Sequence, residues 1–453
     1  METKRSNFSG KVGFILAAAG SAIGLGNIWR FPYLAAKYGG GTFLVCYIVL
    51  AVTFGFTLMI AEIAIGRKTG LSAIEAFKKL DQRFGFLGIL AALVPIIILP
   101  YYSVIGGWVL KYFSAFLTVG ANVTAQDTYF NDFITNAQQP ILWFTCFIAL
   151  TTLVVLFGVE KGIEKVSKIM MPILAVLTVG IALYVLTMDG AIEGVKYYIL
   201  PNMSNFSIMT VLSAMGQLFY SMSLAMGIMI TYGSYMPKNT NLESAVHNIE
   251  LFDTGFAFFA GLMIVPSVFI FSGGDESALN AGAGLMFITL PKVFASIPFG
   301  SVLGTVFFIL VFFAAVTSSI SLMETIVSIL MDKFKWSRTF TCILVLIYSL
   351  LIGIPTSLGF GVLDFIQPLG MSILDAMDFI SNSVLMPIVA LLTCIFVGFV
   401  IKPKAIIDEV EISGTETFKN KAMFSFMIKW IAPIFLLAIL ISSILNALGI
   451  ITM

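Results

Sequence analysis

Two short stretches place glycines and small polar side chains inside long apolar runs. The first covers residues 20–27 and the second covers residues 221–227. Glycine weakens a helix, while serine hydroxyls and an asparagine amide offer polar atoms where lipid offers none. A main chain that leaves the helix at membrane depth needs protein, ions or water as partners. The two stretches therefore predict two broken membrane helices around a binding site, a pattern typical of transporters.

Acidic and hydroxyl side chains inside apolar runs indicate what could bind there. An ionisable group near mid-membrane costs at least about 2.5–3.5 kcal/mol, so Asp253 needs a function or a partner. Carboxylate, hydroxyl and carbonyl oxygens are ligands for hard cations, which makes Asp253 a candidate cation ligand together with Ser221. A buried acid that is paired with a neighbouring donor remains the alternative. Glu62 is predicted to brace the broken first helix.

Composition indicates a polytopic membrane protein. Of 453 residues, 59% are hydrophobic and 11% are charged, whereas soluble domains are about 25% charged. A crossing needs about 20 apolar residues, and this length predicts eleven spans: 11–38, 42–66, 86–118, 140–158, 164–187, 207–236, 242–271, 300–331, 338–356, 372–401 and 423–449. Residues 275–298 are too short and too polar to span and are predicted to form a hairpin of short helices. The net charge of +1 gives no indication of a nucleic-acid partner.

Basic residues predict the orientation of the chain. Lys4, Arg5 and Lys11 precede the first span, and the loops on that side hold most other lysines and arginines. The opposite loops carry little beyond Lys196 and Lys292. The positive-inside rule then predicts a multi-pass protein of the cell membrane with a cytoplasmic N-terminus. Eleven spans would place the C-terminus outside the cell.

Catalysis is not expected from this sequence. It shows no nucleophile–base pair, no metal cluster and no phosphate-binding loop, and its single histidine lies in a polar segment. A channel or receptor would need a continuous polar pore, whereas this chain has isolated polar islands. Transport is the favoured function.

The segment Gly24-Leu25-Gly26-Asn27-Ile28-Trp29-Arg30-Phe31-Pro32 resembles the first-helix signature of the neurotransmitter:sodium symporter family. The likeness continues through the glycines at 39–41, Gln217, the hydroxyl triplet at 317–319 and Asp375 to Asp378. It implies one transporter domain over residues 1–453 with an all-α, LeuT-like fold. Spans 1–5 (residues 11–187) and spans 6–10 (residues 207–401) would be inverted repeats with discontinuous helices 1 and 6. Span 11 (423–449) would stand outside them.

The resemblance also implies a bound amino acid and two sodium ions, with no organic cofactor. The first sodium site would use the Ala22 carbonyl, Asn27, Ser221, Asp253 and the substrate carboxylate. The second would use the carbonyls of Gly20, Ile23 and Ala314 with the hydroxyls of Thr317 and Ser318. The implied substrate site comprises Ala22, Gly24, Leu25, Gly26, Ile98, Tyr102, Tyr220, Ser221, Ser223, Met226, Ser318 and Leu322.

Within that site, position 24 separates substrate classes. Monoamine carriers of the family have an aspartate there, so Gly24 predicts a substrate with its own carboxylate. The Leu25 and Gly26 amides and the Tyr102 hydroxyl would meet this carboxylate. The apolar lining, including the adaptable Met226, predicts a hydrophobic side chain.

The resemblance also implies an outer and an inner gate. Arg30 with Asp378 would close the outer side, and Arg5 with Asp332, near Tyr235, would close the inner side. Gly162 and Pro172 match a pattern that allows span 5 to unwind. Phe8 replaces a usual tryptophan, which predicts a looser inner gate.

The predicted function is sodium-coupled uptake of hydrophobic L-amino acids by alternating access. Chloride-dependent members have asparagine and serine where this chain has Asp253 and Ala257, so transport is predicted to be chloride-independent. The expected partners are the amino acid and membrane lipid. A monomer should suffice, and a dimer is compatible although the twelfth helix of the family is missing. The alternatives are a proton-coupled transporter of the same fold and a channel or receptor on this scaffold.

Overall fold

The computed structural model describes residues 7–272, 284–413 and 417–447. Within these ranges, nine helices are long and apolar enough to cross a bilayer: Gly41–Thr69, Gln82–Thr118, Gln139–Leu156, Val159–Leu186, Leu242–Ser272, Gly300–Phe334, Arg338–Leu358, Ile373–Val400 and Lys421–Leu445. A bent pair, Lys11–Ala22 and Gly26–Lys37, precedes them. Ile208–Ser221 and Ile228–Ser234 lie where the sixth crossing is predicted. Numbered in chain order as spans 1 to 11, these elements confirm the predicted helical fold.

Span 1 breaks at its glycine-rich centre. The helix Lys11–Ala22 ends at Ile23, whose φ of −77° and ψ of 103° are extended. The second half then continues at 56° to the first. Gly24 lies within this break, where a Cβ atom would come within 2.8 Å of the Ser318 hydroxyl oxygen. A side chain at position 24 would therefore collide with span 8.

Span 6 breaks over residues 222–227, and its backbone is more strained. Ser223 and Ala225 have φ of 53° and 59°, and Gly227 has φ of 70°. Only glycine adopts this left-handed region without a steric cost. The Ala225 N–H donates to Glu62 Oε1 at 2.7 Å. Glu62 therefore braces the break in span 6, and the prediction that it braces span 1 was wrong.

The broken halves lie in the interior of the helical bundle. Span 8 runs along span 3, and the second half of span 6 packs on span 2. The most apolar stretch of span 8 is 78% buried, whereas that of span 11 is 28% buried. Oxygen-bearing side chains on spans 1, 6 and 8 therefore face protein, while span 11 lies at the periphery.

Part of the predicted short-helix region is described. Leu285–Ser296 is an apolar helix shorter than a membrane crossing, and residues 275–283 lie outside the described residues. Phe287 of this helix packs against Trp108, Tyr112 and Phe130 with ring centroids 5.0–5.9 Å apart. These contacts attach the short helix to span 3 and to the helix Tyr129–Thr135.

The strained backbone of the span 6 break predicts a pair of opposite effects. Ala225→Gly relieves the left-handed strain and should raise the free energy of unfolding by about 1 kcal/mol. Ala214→Gly, in the helix preceding the break, should lower it by at least about 0.5–1 kcal/mol because it adds a glycine to a helix interior. Thermal unfolding in detergent measures both variants. If both substitutions lowered the free energy of unfolding equally, the claim that position 225 is strained would be contradicted.

Candidate functional site

Asp253 is fully buried in span 7, and polar side chains surround its carboxylate. Asp253, Asn27, Ser221 and Tyr47 are together called the carboxylate cluster. Asp253 Oδ1 accepts hydrogen bonds from Asn27 Nδ2 at 2.8 Å and Ser221 Oγ at 2.6 Å. Asp253 Oδ2 accepts from the Tyr47 hydroxyl at 3.0 Å. Asn27 follows the break in span 1, and Ser221 ends the first half of span 6. The cluster therefore joins both broken helices to spans 2 and 7.

The chemistry of this cluster suits a cation. Carboxylate, amide and hydroxyl oxygens meet there, and the carboxylate supplies a full negative charge. The Asn27 side chain is held in place because its Oδ1 accepts from the Gly24 N–H at 3.1 Å. The sequence-predicted residues Asn27, Ser221 and Asp253 are thus brought together, with Tyr47 as an additional partner.

A second group of oxygens lies where span 1 meets span 8. Ser318 Oγ donates to the Ile23 carbonyl at 3.3 Å, and Thr317 Oγ1 donates to the Ala314 carbonyl at 3.1 Å. A Cβ atom on Gly20 would come within 3.3 Å of the Thr317 Cβ. The five residues predicted for the second sodium site are therefore neighbours, with two hydroxyls and three carbonyls among them.

A central cavity of about 30 Å³ lies beside both oxygen groups. This volume holds about two water molecules. Every residue predicted for the substrate site lines it except Ser221, which belongs to the carboxylate cluster. Tyr102 Oη accepts weakly from the Leu25 N–H at 3.5 Å. The remaining lining residues are Ser21, Asn27, Ile228 and Ser321, so none of the described residues that border the cavity has a charged side chain.

A larger outer cavity of about 600 Å³ adjoins it, with Tyr220 lining both. Arg30 and Asp378 both line the outer cavity. The Arg30 guanidinium lies 5.7 Å from the Tyr220 ring centroid, while Asp378 Oδ1 accepts from the Tyr101 hydroxyl at 3.0 Å. Among the described residues, Arg30 and Asp378 form no ion pair within 4.0 Å. The two residues of the predicted outer gate thus line the same cavity without forming an ion pair.

The opposite side of the bundle is closed by a polar network. The Phe8 N–H donates to the Tyr235 carbonyl at 3.2 Å, and the Tyr235 hydroxyl donates to Glu324 at 2.8 Å. Glu324 also forms an ion pair with Arg338. Phe8 and Tyr235 are both buried. This network joins the N-terminal segment, span 6, span 8 and span 9.

The predicted inner gate is only partly described. Arg5 lies outside the described residues. Asp332 accepts hydrogen bonds from the Ser72 N–H at 2.8 Å and the Ser72 hydroxyl at 2.6 Å. Gly162 and Pro172 both lie in span 5, which is helical from Val159 to Leu186. The predicted unwinding of span 5 is therefore not present in this conformation.

Sequence reasoning missed several residues of the site. Glu324 carried a detectable signal, because it is a carboxylate inside a long apolar run. Its partner Arg338 lies on the next helix, so the pairing depends on how the two helices pack. Ser21 lies in the stretch 20–27, but its partner could not be assigned from the sequence. Ser321 and Tyr47 gave no signal, because a serine in an apolar helix most often bonds its own backbone and a buried tyrosine most often packs as an apolar ring.

Comparisons with known proteins agree with this fold. The family model described as the sodium:neurotransmitter symporter family matches residues 5–139 and 130–450. An uncharacterized sodium-dependent transporter of Bacillus subtilis, YhdH, is 36% identical over 100% of this chain and 99% of its own length. A similar transporter of Haemophilus influenzae is 32% identical over 97% of this chain and 98% of its own length.

Solved structures include a similar fold. The crystal structure of MhsT in complex with L-phenylalanine matches with a TM-score of 0.88 and 37% identity. The match covers 97% of this chain and 100% of that chain. Broken spans 1 and 6 around buried oxygen groups define the class as a multi-pass membrane transporter. The chain belongs to the sodium:neurotransmitter symporter family, and it is a sodium-dependent transporter.

The Glu324–Arg338 ion pair predicts strong coupling between its two partners. Glu324 is fully buried and the Arg338 side chain is 21% exposed, so removing one partner leaves the other uncompensated. Glu324→Gln and Arg338→Gln should each cost about 3–5 kcal/mol of stability. The double variant should cost about 1–3 kcal/mol less than the sum.

A matched control is the Arg83–Asp81 pair, whose arginine side chain is 79% exposed, with its 2.7 Å contact. The same double-mutant cycle there should give no measurable coupling. Thermal or chemical unfolding of the purified protein measures both cycles. Additive losses at Glu324 and Arg338 would show that the pair does not hold the inner side together.

Proposed function

We propose that this protein couples sodium entry to the uptake of a neutral, hydrophobic L-amino acid by alternating access. One observation carries the proposal: Asn27 lines the central cavity and also bonds Asp253 in the carboxylate cluster. An amino acid in the cavity could therefore share a sodium ion with Asn27 through its carboxylate. Ion and substrate would then bind together, which is the physical basis of coupling.

The cavity supports a zwitterion with an apolar side chain. The break in span 1 turns the Leu25 and Gly26 main chain toward the cavity, and a helix that begins there favours an anion. The walls formed by Ile98, Met226 and Leu322 are apolar. Since the lining residues that the structure describes include no charged side chain, a substrate with a charged side chain would lack a counter-ion. The binding of L-phenylalanine by MhsT supports the same class.

Two sodium ions are proposed, one at each oxygen group. The first would bind Asn27, Ser221 and Asp253 with the Ala22 carbonyl, and the second would bind the Thr317 and Ser318 hydroxyls with the three nearby carbonyls. Each positive charge that enters the cell gains about 2.3 kcal/mol per 100 mV of membrane potential. Sodium entry therefore provides enough free energy for concentrative uptake.

The conformation described here would face outward. The outer cavity measures about 600 Å³, whereas the Phe8–Tyr235–Glu324–Arg338 network closes the other side. The excess of basic residues on the side of this network supports a cytoplasmic position for it. Closing the outer cavity would bring Arg30 and Asp378 together over Tyr220. Enlarging the central cavity for an amino acid would require Tyr220 and Met226 to move, and methionine adapts readily.

Chloride independence follows from the fixed charge of Asp253. Tyr47, Asn27 and Ser221 all donate hydrogen bonds to this carboxylate. An anion from solution would have to enter a site that already holds a buried negative charge, which is unfavourable. The protein should therefore need no chloride.

Uptake by reconstituted proteoliposomes tests the proposed function. A panel of the twenty amino acids should show uptake of neutral hydrophobic ones in sodium medium and none in choline medium at the same pH. Replacing chloride with gluconate should leave the rate unchanged.

Uptake in choline driven by a proton gradient would instead favour proton coupling. A steep fall in the uptake rate when gluconate replaces chloride would refute chloride independence. Currents above about 10³ ions per second would favour a channel.

Asp253→Ala tests the carboxylate cluster itself. It should abolish sodium-dependent amino-acid binding, because the cluster loses its only charged oxygen donor. Glu250→Ala is the matched control: it also removes a buried carboxylate from span 7, one helical turn away. This control should keep its sodium dependence. Retained sodium dependence in a folded Asp253→Ala protein would refute the assignment.

A further inference from the structure

Four serine hydroxyls line the central cavity, and together they are called the serine ring. Ser21 comes from span 1, Ser223 from the break in span 6, and Ser318 and Ser321 from span 8. All four residues are more than nine-tenths buried. Ser21 and Ser321 have no part in the sodium and substrate contacts proposed above. Their hydroxyls can therefore contact another part of a ligand in the cavity.

The internal hydrogen bonds of the serine ring determine what it can offer a ligand. Ser223 Oγ and Ser318 Oγ both donate to the Ser21 carbonyl, at 2.9 and 3.1 Å. Ser321 Oγ donates to the Ser318 carbonyl at 2.8 Å, and Ser21 Oγ donates to Ser321 Oγ at 2.7 Å. Each of the four protons thus has a protein acceptor. What remains for a ligand are oxygen lone pairs, which accept hydrogen bonds.

Two of these acceptors already have proposed partners. Ser223 would meet the substrate ammonium, and Ser318 would bind sodium. The linked hydroxyls of Ser21 and Ser321 remain. Ser321 also forms a side-chain hydrogen bond with Tyr232, and it precedes Leu322 of the apolar wall along span 8. A wholly apolar side chain placed against them would cover their lone pairs without replacing a hydrogen bond, which costs free energy.

We infer that the Ser21–Ser321 pair accepts a hydrogen bond from the side chain of the transported amino acid. This inference rests on the proposed function and names the substrate class more closely. The transporter would prefer side chains that combine an apolar body with an N–H or O–H donor, namely tyrosine and tryptophan. Phenylalanine and leucine, which lack the donor, would bind more weakly. Sites that bond a polar substrate group discriminate more strongly than purely apolar pockets.

Competition binding in sodium medium tests this selectivity with two matched substrate pairs. Tyrosine is compared with phenylalanine, and tryptophan with 3-benzothienylalanine, in which sulfur replaces the indole N–H. In the unaltered protein, the donor-bearing member of each pair should bind about tenfold more tightly, the effect of one buried hydrogen bond. Ser321→Ala and Ser21→Ala should each bring the ratio close to one by weakening the donor-bearing member of each pair, and phenylalanine should bind no more weakly than to the unaltered protein.

Ser319→Ala is the control variant. Ser319 lies on the same helix and is fully buried, but it bonds Thr151 at 3.1 Å and does not line the cavity. Its substrate ratios should match those of the unaltered protein. Equal affinities within both pairs in the unaltered protein would overturn the inference, as would a Ser321→Ala variant that weakens all amino acids alike. Both results would leave the proposed function standing, whereas failure to bind any amino acid would refute it.

Discussion

The rest of the structure depends on one constraint: a main chain that leaves the helix inside an apolar bundle must find partners for its N–H and C=O groups. Both breaks satisfy it with side chains, some from the same span and some from other spans. At the break in span 1, the Gly24 N–H donates to Asn27 Oδ1. At the break in span 6, the Ala225 N–H donates to Glu62. The carbonyls of Ser21 and Ile23 accept from Ser318, which ties the first break to span 8.

Three buried acids have separate structural roles. Glu62 supports the break in span 6, Asp253 gathers oxygen donors from both breaks, and Glu324 joins the inner ends of spans 6, 8 and 9 through Tyr235 and Arg338. Each acid has at least two helices as neighbours, so each one links the position of one helix to that of another.

Much of this arrangement could be predicted from the sequence, because glycines and serines clustered inside an apolar run favour an interrupted helix over a continuous one. Both breaks, Asp253 and the cavity lining followed from residue types and from a resemblance that covers spans 1 to 10. Four features could not be predicted. The support given by Glu62 to span 6, the pairing of Glu324 with Arg338 and the bond between Ser21 and Ser321 all depend on which helix faces combine. The separation of Arg30 from Asp378 depends on the conformation, which a sequence does not fix.

The central claim is that the main chain of the two breaks, with Asp253, holds sodium at the middle of the bundle. Hydrogen–deuterium exchange measured by mass spectrometry tests it most directly, with sodium compared against potassium at equal ionic strength. Sodium should slow amide exchange in peptides that cover residues 20–27 and 221–227, and leave the peripheral span 11 unchanged. Identical exchange of both breaks in the two salts would contradict the account.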